Sequence, residues 1–409
     1  MDYPKLRHIE AFPVETENGK RVFIRDPLHY AQGPLLLSPP TFFIISHFDG
    51  HHSILDIQEA FARRFGEILS GDQIRAIAAE LDGHYYLESK RFAQRQQEIV
   101  DTFRRAPLRA MAHADTCYSS QTDIFTNQVT AFFKEPEGPG LPSADGQHRP
   151  PVRGIIAPHI DLRVGGLCYA WAYKELAERC DADLFILLGT SHYGMGNLFV
   201  ATEKDYDTPL GPVKTDREFV RTLQDRYSGD LFADELLHRT EHSLEFQTLF
   251  LQYVFGGKRD FTVVPLLVSS FHHLIVSKTP PAQDADVASF LNALQETIAQ
   301  SGRKVCLVAG VDFAHVGQKF GDQGSLTPDF LSWVEAEDRR LIQALQKVDH
   351  ADFFDQIAKD GDRRRVCGFS PMYTFLHAVN ATEGKLLKYD RSLDPATQSS
   401  VSFASLAFY

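Results

Sequence analysis

The chain has 409 residues, 43% hydrophobic and 23% charged, an ordinary globular composition with length for two or three domains and a sizeable core. Its 42 basic residues stand against 54 acidic ones, a net charge of −12. That balance argues against a nucleic-acid groove as the main activity, because phosphate binding needs a basic surface. The five cysteines (Cys117, Cys168, Cys180, Cys306 and Cys367) are widely spaced and never form a C-x-x-C pair, so they read as reduced thiols and not as a disulfide framework or zinc ribbon. Residues 1–7 lack the apolar stretch of a signal peptide, and no apolar run approaches the ~18 residues of a membrane span. The expectation is a cytoplasmic protein with no membrane segment.

The first ~90 residues form a pattern of their own. Arg21-Val22-Phe23-Ile24-Arg25 reads as a short strand ended by Asp26-Pro27, and Gly33-Pro34-Leu35-Leu36-Leu37-Ser38 as a second. Pro39-Pro40 opens a helix through Phe42, Ile45 and Phe48, which Asp49-Gly50 breaks. Ser53 is an N-cap for a helix over 54–65, with Ile54, Ile57 and Phe61 on one face. Ser70 or Asp72 caps a third helix carrying Ile74, Ile77 and Leu81, and residues 83–89 close as a strand. This order of two strands, three helices and a strand is that of a small winged-helix unit. The third helix has Arg75 as its only basic residue, against a DNA-reading role. Residues 93–108 read as a polar linker helix.

A Pro/Gly-rich loop runs from Glu135 to Ser143 and on to Pro150-Pro151. From 152 onward, strands alternate with helices expected over 170–179, 214–226, 240–255, 286–301, 329–346 and 370–380. That alternation is the signature of a largely parallel sheet flanked by helices. The chain shows no internal repeat and no G-x-G-x-x-G, Walker A, G-x-S-x-G or H-E-x-x-H motif.

Three histidines each follow a short apolar run. Gly154-Ile155-Ile156-Ala157-Pro158 leads into His159, Leu184 to Ser191 into His192, and Val305 to Ala314 into His315. Such runs read as buried parallel strands, and open α/β sheets place chemistry at the carboxyl ends of their strands. Three imidazoles at one sheet edge would make a metal or acid/base site. Glu241-His242-Ser243-Leu244-Glu245 opens a helix; His242 and Glu245, three apart, share a face. They could both ligate a metal, or one could orient the other. Cys367-Gly368 stands just ahead of an apolar helix, where a thiolate is favoured. Asp312, three residues before His315, could fix the tautomer of that imidazole. Cys306 reads as core, and Cys168 and Cys180 as structural.

Two resemblances follow from these motifs. Residues 20–90, with Leu35-Leu36-Leu37-Ser38-Pro39, Asp49-Gly50 and two further helices, resemble the PqqD-like winged helices that recognise leader peptides. Residues ~107–409 resemble the Memo family, known in microbes as AmmeMemoRadiSam system protein B. The matching stretches include Arg109-Ala110-Met111-Ala112-His113 with Tyr118, Ala157-Pro158-His159, Gly189-Thr190-Ser191-His192, Thr208-Pro209-Leu210, Glu241-His242-Ser243-Leu244-Glu245, Asp312-Phe313-Ala314-His315, Cys367-Gly368 and Ser400 to Ala404.

The second resemblance implies a fold similar to class III extradiol dioxygenases and a metal pocket of His159, His192 and Cys367, with His315 facing them. The chain departs from the family pattern at Ile160-Asp161-Leu162, where His-Ala-Gly-Tyr would continue the motif from His159, and at Thr190-Ser191-His192-Tyr193. Asp161 thereby adds a carboxylate near the pocket. A thiolate also stands where ring-cleaving enzymes use a carboxylate.

The expected organisation is a winged-helix module (1–92), a linker helix (93–108) and a Memo-like α/β domain (109–409). The expected function is a metal-dependent oxidoreductase using iron(II) or copper before zinc, with His315 as general acid/base and Asp312, His242 and Glu245 around the ligands. The implied partners are a radical SAM protein and an AMMECR1-type protein of the same system, with a peptide for the N-terminal module. The alternative is a non-catalytic metal- or peptide-binding protein that presents a substrate to a radical SAM partner; a scaffold with a vestigial pocket is a third class.

Overall fold

The computed structural model describes residues 2–17, 19–143, 150–193 and 196–409. Residues 144–149 of the expected Pro/Gly-rich loop lie outside the described residues. The chain divides into two compact units, Met1–Ala106 and Pro107–Tyr409.

In the first unit, β1 (Glu10–Thr16), β2 (Gly19–Arg25) and β3 (Leu35–Leu37) pair antiparallel in that order. Four helices follow: α1 (Pro39–Ile45), α2 (Ile54–Phe65), α3 (Gly71–Gly83) and α4 (Lys90–Arg105). Ser38, Ser53, Ser70 and Ser89 cap them, each side chain accepting a backbone N–H, and Ser53 and Ser70 complete capping boxes. Ile24, Ile44, Ile57, Phe61, Ile74 and Leu81 meet in the core.

Two expectations change here. β1 goes unread in the sequence because Pro13 interrupts it, yet a proline is tolerated there, since β1 is an edge strand. The strand expected over 83–89 shrinks to one bridge, Leu6 to Leu87, because Tyr85 sits at a φ of 65° and breaks the extended backbone.

The second unit opens with β4 (Leu108–Arg109), α5 (Thr122–Lys134), β5 (Gly154–Ala157), α6 (Leu162–Arg179), β6 (Leu184–Thr190), β7 (Phe199–Ala201) and β8 (Asp205–Tyr206). It continues through α7 (Arg217–Arg226), α8 (His242–Phe255), β9 (Thr262–Val268), α9 (His272–Ser277), α10 (Ala285–Gln300), β10 (Val305–Gly310) and β11 (His315–Gly317). It ends with α11 (Pro328–Gln346), α12 (His350–Ala358), α13 (Phe369–Ala378), β12 (Gly384–Asp394) and β13 (Ser399–Phe408).

The central sheet runs β11-β13-β5-β10-β6-β9-β7, with β12 paired to β13. It is mixed, which corrects the expectation of a largely parallel sheet. β5, β10, β6 and β9 are parallel, whereas β7, β11, β12 and β13 all pair antiparallel. In chain order β5, β6, β9 and β10 are linked one to the next by segments that contain helices. β12 and β13 are joined by residues 395–398 alone, and a link that short can connect only antiparallel neighbours.

Helices cover both sheet faces. Ile155, Phe185, Val263, Cys306 and Val308 point toward α5, α6 and α8. Ile156, Ile186, Val264, Leu307 and Ala309 point toward α7, α10, α12 and α13. Burial on both faces is why these strands read as continuous apolar runs. Among the described residues no helix is long and apolar enough to cross a membrane.

One packing detail positions the site. Gly189 on β6 and Gly310 on β10 are neighbours in register. A Cβ on either would run into Ser243, in the first turn of α8. The two glycines therefore let the N-terminus of α8 press against the carboxyl edge of the sheet.

Candidate metal centre

The carboxyl ends of β5 and β6 and the start of α8 deliver three imidazoles to one point. One ligand nitrogen from each of His159, His192 and His242 lies within 4.8 Å of the other two. Hydrogen bonds fix the tautomers of the first two. His159 Nδ1 donates to the Gly310 carbonyl at 3.0 Å, leaving Nε2 for the pocket. His192 Nδ1 donates to Glu241 at 3.0 Å, with the same consequence. His242 stacks on His192 with ring centroids 4.8 Å apart. Burial holds the His242 imidazole well below its ordinary pKa, against the pull of Glu241, so it stays neutral with a lone pair to give.

Cys367 adjoins this cluster. Its Sγ lies 3.3 Å from His159 Nε2. Burial works against a thiolate, but His159 and His315, with hydrogen bonds from His159 and His192, bring the thiol well below its usual value. His315 is half-buried, reaches Cys367, and has Nδ1 tied to the Phe313 carbonyl at 3.1 Å. A cavity of about 310 Å³ opens on His192 and Cys367 and is further lined by Ser270, His272 and Arg365.

The other residues singled out in the sequence have different partners. Asp312 is buried; one oxygen accepts the His159 N–H at 3.0 Å and the other lies 3.6 Å from His159 Nε2. It thus attends His159, and the tautomer of His315 is set by the Phe313 carbonyl instead. Glu245 is fully buried and paired with Arg109. Its oxygens also accept from the N–H groups of Ala112 (3.2 Å) and His113 (3.0 Å) and from Tyr118 Oη (2.5 Å). Its acceptor capacity is spent on anchoring residues 109–118, which brings His113 against His242, centroids 5.6 Å apart. Asp161 caps α6 and pairs with Arg163.

Two residues went unassigned in the sequence. Glu241 is 4% exposed and caps α8 while holding His192. Arg109 is 1% exposed and donates to the carbonyls of His238, Ala110 and Glu241. The acid at the N-cap position was a local clue to Glu241. Arg109 offered none, because apart from the Ala110 carbonyl its partners, His238, Glu241 and Glu245, lie more than 125 residues away.

The comparisons with known proteins agree with this layout. The Memo family model, described as Memo-like protein, matches residues 109–407. The chain belongs to the Memo family. A MEMO1 family protein of Aquifex aeolicus is 30% identical over 99% of this chain and 100% of its own length. One from Methanopyrus kandleri is 31% identical over 73% of this chain and 98% of its own length, and one from Caldivirga maquilingensis is 28% identical over 74% and 99%. Some Memo relatives therefore match nearly the whole chain, and others about three quarters of it.

Proposed function

We propose that the chain holds one redox-active transition metal, iron(II) or copper, on His159, His192 and Cys367, and works as a metal-dependent oxidoreductase. The observation that carries this reading is the convergence of two Nε2 atoms and a stabilised thiolate beside a cavity. The donor set fits such an ion: two imidazoles with their Nδ1 atoms tied back, and a soft sulfur ligand. The ion would supply electron transfer and polarisation of a bound substrate.

The protein groups do the rest. Glu241 keeps His192 aimed, the Gly310 carbonyl and Asp312 keep His159 aimed, and His315 moves a proton at Nε2. His242 closes the imidazole face. A cytoplasmic setting, where thiols stay reduced, suits the Cys367 ligand. The family resemblance supports a radical SAM protein and an AMMECR1-type protein as partners, and a peptide as the ligand of the N-terminal unit.

Elemental analysis and an ultraviolet–visible spectrum of anaerobically purified protein test the reading. About one metal per chain is expected, with most of it lost in His159→Ala, His192→Ala and Cys367→Ala while circular dichroism stays native. Full occupancy in all three variants overturns the site. His242→Ala should retain the metal; a loss as large as in His192→Ala moves the third ligand from Cys367 to His242.

A further inference from the structure

Away from the pocket, α11 carries a carboxylate with no access to solvent. Asp338 is 0% exposed. Its Oδ1 accepts from Arg364 Nη1 at 2.5 Å, and its Oδ2 accepts from Ser402 Oγ at 2.5 Å and Tyr389 Oη at 3.0 Å. An ion pair this deep is weak evidence for stability, because desolvation cancels most of its attraction. What its partners hold is more informative.

Arg364 is 1% exposed and stands three residues before Cys367. Its carbonyl accepts the His315 N–H at 2.7 Å. Ser402, on β13, grips the segment before His315 at three points. Its N–H donates to the Ala314 carbonyl at 3.0 Å, its Oγ accepts the Ala314 N–H at 3.0 Å, and its carbonyl accepts the Phe313 N–H at 2.8 Å. The two segments are joined again where the Gly368 N–H meets the Asp312 carbonyl at 3.2 Å. Each arm of Asp338 therefore ends on the backbone beside a pocket residue.

We propose that Asp338 is a positioning residue for the pocket, a single buried carboxylate on which both the Cys367 segment and the His315 segment hang. One arm, through Arg364, reaches both segments. The other, through Ser402, reaches the second. The third partner, Tyr389, bonds to neither segment. Neutralising Asp338 loosens the Cys367–His315 side of the pocket and leaves His192, which is held by Glu241, where it is. The inference rests on the metal reading only for its spectroscopic consequence.

The test compares Asp338→Asn, Ser402→Ala and Tyr389→Phe with the wild type, all as full chains. The first measurement is amide hydrogen exchange of metal-free protein. Asp338→Asn should speed exchange at His315 and Gly368 at least about tenfold relative to the amides of β6, with a cooperative melt retained. Ser402→Ala, which removes one arm and is the variant to use if Asp338→Asn does not fold, should speed Phe313 to His315. Tyr389→Phe should change neither.

The second measurement is Co(II) titration followed through the thiolate-to-metal charge-transfer band. Asp338→Asn should weaken Co(II) binding about tenfold, within the range for residues that orient ligands, and reduce that band. Exchange that rises uniformly through the unit, or a band and affinity unchanged beside a lowered melting temperature, would make Asp338 an ordinary core carboxylate and overturn the proposal. If the wild type takes up no Co(II), the metal reading fails and the exchange pattern decides the role of Asp338 by itself.

Discussion

Glu241 accepts hydrogen bonds in two directions. Toward the pocket it takes the His192 N–H and Nδ1–H, and along the helix it takes the N–H groups of His242 and Ser243. Burial opposes its ionisation, but His192 and His242 hold its pKa well below the ordinary carboxylate value. Glu241→Gln keeps an acceptor and loses the charge. The retained oxygen can still accept the N–H groups of His242 and Ser243, so the capping loss stays below about 1 kcal/mol, too little to unfold a domain of usual stability. The lost hold on His192 should weaken metal binding about 10–100-fold. Metal titration beside a thermal melt separates the two effects; unchanged affinity would reduce Glu241 to a helix cap. His159 and His192 stood out in the sequence because each follows a buried strand, and Cys367 because it precedes a helix, whereas His315 opens the separate strand β11, beyond residues 311–314 that follow β10. The hold of Glu241 on His192 and the roles of Arg109 and Asp338 were not legible there, because each depends on a partner distant in the chain and no local pattern records such a pairing.

At the scale of elements, the contact of α8 with the sheet decides the site. Gly310→Ala would push a methyl group into the Ser243 carbonyl and the Gln247 side chain, and overpacking of this kind costs about 1–3 kcal/mol. The Gly310 carbonyl also holds His159 Nδ1, so melting temperature and metal affinity should fall together. Gly83→Ala is the contrast. That residue ends α3 with nothing within 4 Å of an added Cβ, and the substitution should be neutral or stabilise by about 0.4–1 kcal/mol. A Gly310→Ala protein with native melting and native metal binding would show that α8 does not need this close approach.

The sequence showed six of the second-unit helices by their apolar periodicity, but α6 begins at Leu162 and not near 170. Gly165 and Gly166 look like helix breakers in the sequence. In the fold a Cβ on Gly165 would strike Ile160 and one on Gly166 would strike Phe132, so they are places of close approach. α5, α9 and α12 were not read at all.

Across the whole molecule, the Memo resemblance and the helix-covered sheet were legible because buried strands carry dense apolar runs. The mixed topology was not, because β12 and β13 are long half-polar or edge-facing strands whose direction only their short connection reveals. The global response to acid is a property of the same buried interior. His238 is 0% exposed. Its Nδ1 accepts from Tyr206 Oη at 2.8 Å and its Nε2 donates to the Val200 carbonyl at 3.2 Å. Burial, with Arg109 adding repulsion, takes its pKa from 6.5 down to about 3.

The unfolded chain therefore binds a proton at this histidine between those values, and the folded chain does not. Stability from this group is complete above pH 6.5 and is lost as pH falls toward 3. At pH 5 the loss is about 2 kcal/mol. In the metal-free protein His159, His192 and His315 have raised values and act with the opposite sign, so the contribution has to be read as a difference. Urea unfolding of wild type and His238→Gln at pH 7 and pH 5 supplies it. The variant, whose amide can still donate and accept, should lose about 2 kcal/mol less than the wild type over that interval. Equal losses would mean that His238 takes up its proton without unfolding, and that some other group sets the acid limit of the fold.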